Sequence, residues 1–171
     1  MGAACVVAAL PGGPARDGGQ RQPGLCGSRA LGGSLGRSRG GFPTKLHGAG
    51  DGAGGLLAFA LTAGQAGDAP QAAELLAPLW APARQVLADT AYDSDALRAQ
   101  IAEAGAAAVT PPRPNRLQPP HLDPLAYRDR NQVERLINRL KQFRRIATRY
   151  DKLADSYAAF VQLRAITLWL N

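Results

Sequence analysis

The feature that most constrains this chain lies between residues 42 and 110, where short apolar runs alternate with helical stretches and turn residues separate them. Residues 42–48 alternate enough to form a strand, residues 50–55 are a Gly-rich turn, and the apolar run 56–62 is a second strand. After a loop over 64–70, Asp68 can cap a helix over 70–79, with Pro70 suited to its first turn. Residues 85–88 make a short strand ending at Asp89. Asp93 or Ser94 can cap a helix over 95–104, which Gly105 stops, and 106–110 is another strand. A linker with six prolines (111–124) leads to a long helical region, 125–170, broken near 150–155. The order strand, strand, helix, strand, helix, strand, long helix predicts an α/β fold, a mixed sheet flanked by helices.

The N-terminal stretch reads differently. Seventeen of the twenty glycines precede residue 56, and residues 11–34 show no period of 2 or 3.6. Residues 1–34 are therefore expected to be disordered or loosely attached. The apolar run 3–10 lacks the basic flank of a signal peptide and is short for one. Cys5 and Cys26 have no partners at metal-ligand spacing, which argues against a zinc site or disulfide framework and for a reducing, cytoplasmic setting. The apolar tail 158–170 is too short to span a bilayer and carries Gln162 and Arg164.

Charge is unevenly spread within the net +7. Residues 111–171 hold twelve Arg and Lys against five acids, whereas residues 51–110 hold two against seven. Such a basic third suits a phosphate backbone. A solvated helix face with ordinary ion pairs would also account for it.

Two acids stand out. Asp89 closes the apolar run Val86-Leu87-Ala88, and acids at the carboxyl ends of strands project into the crevice where α/β sheets bind ligands. Asp89 could equally be a loop residue that caps the next helix. On a helix at 100° per residue, Tyr127, Arg130, Glu134 and Lys141 fall within an arc of roughly 60°. That stripe borders an apolar face of Val133, Leu136, Ile137, Leu140 and Phe143, which would pack on the sheet. Glu134 would then point into the crevice beside Asp89, or belong to a surface row of ion pairs.

The spacing Tyr127-x2-Arg130-x3-Glu134-x6-Lys141 matches the Y-R-E-K signature around the third acid of the insertion-sequence-four/five superfamily of DDE transposases. Leu87-Ala-Asp-Thr-Ala-Tyr-Asp-Ser94 resembles that family's second-acid motif, A-D-K-G-Y-D-S, with Thr90-Ala91 in place of Lys-Gly. The stretches 36–47 and 143–154 are also similar to family segments. The resemblance covers residues 35–171, a partial DDE catalytic domain, and 1–34 read as a degenerate Gly-rich segment.

The resemblance implies a ribonuclease-H-like sheet, with Asp89 and Glu134 as the second and third catalytic, metal-binding acids. It implies Mg²⁺ or Mn²⁺ as cofactor. Double-stranded DNA, both element ends and target, is the implied partner, bound by copies of the chain assembled at the bacterial nucleoid. Lys141 and Arg130 would contact phosphate or orient Glu134, and Tyr127 would stack or hydrogen-bond nearby. Arg135, Arg139, Arg144, Arg145 and Arg149 would supply affinity independent of sequence. The first acid should lie upstream of Gly36 on the first strand. Only Asp17 stands there, so the first strand is expected to be missing. Asp51 corresponds to a turn position. Gly48 and Gly50 replace apolar strand residues, and Pro43 suggests an edge or a defect. Three readings stay open: an active transposase, a catalytically dead remnant that binds DNA, or a helical protein that binds an acidic partner.

Overall fold

The computed structural model describes residues 3–11, 44–79, 83–151 and 153–170. Its most local unit is an antiparallel hairpin of β2 (Thr44–Gly50) and β3 (Leu56–Ala63). Asp51 builds the turn: its carboxylate accepts from the backbone N–H groups of Ala53 (3.1 Å) and Gly55 (2.7 Å). Gly54 adopts φ +96°, a conformation that a side chain would strain. Asp51 is thus occupied by the hairpin.

A strand that was not expected from the sequence holds the centre of the sheet. β1 (Ala3–Pro11) runs antiparallel to β2, with Val6 opposite Gly50, and parallel to β4 (Ala83–Ala88), with Val6 beside Leu87. β5 (Ala107–Val109) adds parallel to β4, giving the order β3-β2-β1-β4-β5. The expectation of a missing first strand is corrected. A strand with a neighbour on each side can read as an unbroken apolar run rather than an alternating one, and 3–10 is such a run. Residues 12–34 of the expected disordered segment, with Asp17 and Cys26, lie outside the described residues, as does Pro43. β2 is paired on both sides and is not the edge strand that Pro43 suggested.

Helices cover both faces. α1 (Asp68–Leu76), extended by a 3-10 turn over Ala77–Leu79, and α2 (Asp95–Glu103) bury Leu75, Leu76, Leu97 and Ile101 against Val86 and Ala88. Ser94 caps α2 by accepting from the Leu97 N–H at 3.2 Å, and Gly105, at φ +77°, ends that region as expected of a glycine past a helix. On the other face α4 (Asn131–Lys141), α5 (Arg144–Ala147) and α6 (Ala154–Trp169) press Leu136, Leu140 and Val161 onto Leu46, Phe59 and Leu61. α3 (Pro124–Arg128) precedes α4, and Leu87, Val109 and Val133 form a smaller cluster beneath them. The long helical region is therefore four helices, with breaks after Arg128 and Lys141 as well as the one expected near 150–155. Phe143, placed on the apolar face by helical periodicity, lies past the end of α4 with ψ 102° and is 39% exposed.

Two details position the site. A Cβ on Gly50 would lie 2.5 Å from Leu136 Cδ2, so this glycine lets α4 settle onto β2. Its smallness serves packing. Side chains alternate along β4: Val86 and Ala88 face α1 and α2, and Leu87 faces α4. Asp89, next in the extended backbone, therefore emerges on the α4 side.

Candidate active site at the end of the fourth strand

Asp89 follows β4 and its Oδ1 accepts from the Thr90 N–H at 2.7 Å, opening a single 3-10 turn over Thr90–Tyr92. Glu134 stands in the first turn of α4. Between them lies Arg130. Its Nη2 is 3.2 Å from Glu134 Oε1 and 4.0 Å from Asp89 Oδ1, and its Nη1 donates to the Tyr127 hydroxyl at 3.0 Å. The two carboxylates thus converge on one guanidinium nitrogen, and Tyr127 holds the opposite side of the same group. Burial works against the charge on Arg130, but the Tyr127 hydroxyl and the two acids raise its pKa above the ordinary arginine value. Asp89 and Glu134 are 55% and 57% exposed, so solvent and solutes reach both.

The family model for the transposase DDE domain matches residues 26–170. The chain belongs to the transposase DDE-domain family. It is also similar to the putative transposase for insertion sequence element IS6501 from Brucella ovis, 41% identical over 129 residues that span 75% of this chain and 98% of the relative. No solved structure matches.

In this transposase-family chain the remaining basic residues separate into two kinds. Arg135, Lys141 and Arg144 are exposed. Lys141 stands two turns beyond Glu134, roughly 10 Å along the helix. Arg139, also exposed, lies against the β2–β3 turn, where a Cβ on Gly54 would collide with its guanidinium. Arg145 is half-exposed, paired with Asp151 at 3.2 Å and stacked 4.1 Å over the Phe160 ring. Arg149 is buried: it donates to Thr44 Oγ1 and to the Asp151 carbonyl (2.9 Å) and lies 5.4 Å from the centre of the Tyr157 ring. Its expected role in contacting DNA is corrected. α5 ends at Ala147, and the extended Thr148 turns the next side chain inward, where helical counting would leave it outside.

Two groups beneath the transposase motif escaped the sequence reading. Asp93 is enclosed by arginines: Arg98 Nε at 2.8 Å, Arg116 Nη1 at 3.1 Å and the Arg113 N–H at 2.9 Å. Although burial opposes ionisation, these donors hold its pKa below the usual carboxylate range. The cluster ties the proline-rich segment to the loop after β4. His47 is buried with its ring nitrogens 3.1 Å from the Tyr92 hydroxyl and 2.8 Å from Thr62 Oγ1. Burial lowers its pKa, so the neutral ring links β2 and β3 to the loop that begins at Asp89. Asp93 was expected only as a possible helix cap, and both groups lie in the family-like stretches 36–47 and 87–94.

Among the described residues no group of three His, Cys, Asp or Glu gathers as a metal site, and no helix is long and apolar enough to cross a membrane.

Proposed function

We propose that this chain is a DNA-binding transposase domain that retains the second and third acids, Asp89 and Glu134, and does not cut DNA for want of the first. One observation carries the reading. The strand running beside the Asp89-bearing β4 is β1, whose sequence, AACVVAALP, holds no acid. The sheet order, antiparallel through β3-β2-β1 and parallel through β1-β4-β5, supports a ribonuclease-H-like interpretation of the fold. In that interpretation β1 is where the first acid belongs.

The family's reaction, as the resemblance implies it, is hydrolysis of a phosphodiester at the element's end, after which the freed 3′-hydroxyl attacks target DNA. When bound, divalent cations such as Mg²⁺ or Mn²⁺ would offset charge on the phosphate and on the attacking and leaving oxygens. Asp89 and Glu134 fit part of that duty: both offer hard carboxylate oxygens, and both already converge on the single positive charge of Arg130. With two carboxylates instead of three, ligation and charge compensation are incomplete. Arg135, Arg139, Lys141 and Arg144 are the exposed cations that would meet the DNA backbone.

The test is direct. The purified chain is incubated with Mg²⁺ or Mn²⁺ and duplex carrying the element's ends. It should bind and leave both strands whole. Metal-dependent cleavage that Glu134→Ala abolishes would establish a working enzyme and overturn the proposal.

A further inference from the structure

Arg130 stands in the place that a cation between Asp89 and Glu134 would take. Its guanidinium faces both acids through one nitrogen, 3.2 Å from Glu134 and 4.0 Å from Asp89, and is steadied by the Tyr127 hydroxyl at 3.0 Å and by the Tyr127 ring, 5.7 Å from its carbon. A second cation brought to the same oxygens would face both repulsion from this charge and loss of its ion pairs. Arg130 is also 32% exposed, so the guanidinium has an outward path. Planar guanidinium groups favour phosphate as well as carboxylate oxygens.

We infer that Arg130 is a resident counter-cation of the Asp89–Glu134 pair. A divalent ion enters only as Arg130 leaves, and a DNA phosphate is what draws it away. Metal and DNA then bind this chain cooperatively. By linkage, each raises the affinity for the other by the same factor. Without DNA the acids stay neutralised by Arg130 and hold metal poorly. The inference rests on the assignment of Asp89 and Glu134 as the acids that face metal.

The experiment measures Mn²⁺ binding to the full chain by electron paramagnetic resonance, with and without a duplex of arbitrary sequence. Circular dichroism checks that each variant is folded. Arg130→Gln should bind Mn²⁺ about tenfold more tightly than the parent in the absence of DNA. Arg130→Lys, which keeps the charge, should stay near the parent. Duplex should tighten Mn²⁺ binding to the parent several-fold and leave Arg130→Gln unchanged. Equal or weaker binding by Arg130→Gln, or the same gain from DNA in both chains, overturns the counter-cation role. Asp89→Asn and Glu134→Gln separate the two levels. If they abolish Mn²⁺ binding while Arg130→Gln fails to tighten it, only the role of Arg130 is lost. If they leave Mn²⁺ binding untouched, or if no chain binds the ion, the assignment of the acids falls with it.

Discussion

Asp89 and Asp93 belong to one short motif and live in opposite surroundings. The Asp93 side chain is fully buried and takes hydrogen bonds or ion pairs from Arg98, Arg113 and Arg116. Asp89 is more than half exposed, bonded locally to the Thr90 N–H, with Arg130 4.0 Å away. The first arrangement leaves no room for another ligand and fixes the chain. The second leaves the carboxylate open to exchange its partner. Within one motif, resemblance alone therefore does not separate the residue that supports the fold from the residue that meets a ligand; burial and partner count do.

The sharpest way to break this contrast is truncation. Asp93→Ala leaves two arginines and a backbone N–H facing an empty pocket, and should cost about 3–5 kcal/mol of unfolding free energy. Asp89→Ala should cost under about 1 kcal/mol, because its interactions are local or solvent-screened. Urea unfolding of both variants measures the difference, and similar losses would collapse the distinction.

The same contrast recurs among the arginines. Arg149→Ala removes buried, charge-assisted bonds to Thr44 and the Asp151 carbonyl, and should cost roughly 2–3 kcal/mol. Arg144→Ala should leave stability unchanged, lower duplex affinity a few-fold and reduce the salt slope by about one. Thermal melts and salt-titrated binding read the two effects, and a destabilised Arg144→Ala would place that residue in the fold instead.

Acid sharpens the comparison more gently. The pKa of Asp93 is lower in the folded chain than in the unfolded one. Its contribution is therefore present in full above the unfolded value, about 4, and is lost as pH falls through the folded value. Stability measured from pH 6 downwards should decline in the parent, and Asp93→Asn should show a shallower decline. Identical slopes would mean that other carboxylates govern acid unfolding.

Much of this arrangement was legible where local chemistry decides structure. The Ser94 cap and Gly105 set the bounds of α2, and the apolar run after the Gly-rich turn gave β3. β1 was not legible, since a continuous run with glycines behind it satisfies no alternation test. The breaks after Arg128 and Lys141 were hidden because residues on both sides favour helix. Strand-end position and helical spacing left open whether Glu134 faces Asp89 or a surface row of ion pairs, and the motif resemblance favoured the first, because local periodicity does not by itself fix which distant elements meet. The Asp93 cluster was invisible for the same reason: two of its three donors, Arg113 and Arg116, lie beyond β5 in the proline-rich segment.

The placement of β1 has a consequence for how the molecule assembles. The β2–β3 hairpin closes across a turn of a few residues, whereas β1 must find β4 from far along the chain, Cys5 meeting Val86. Local closure is fast and distant pairing is slow, so the hairpin forms early and the seam beside Asp89 forms late. The candidate site is therefore built on the last-made joint of the sheet.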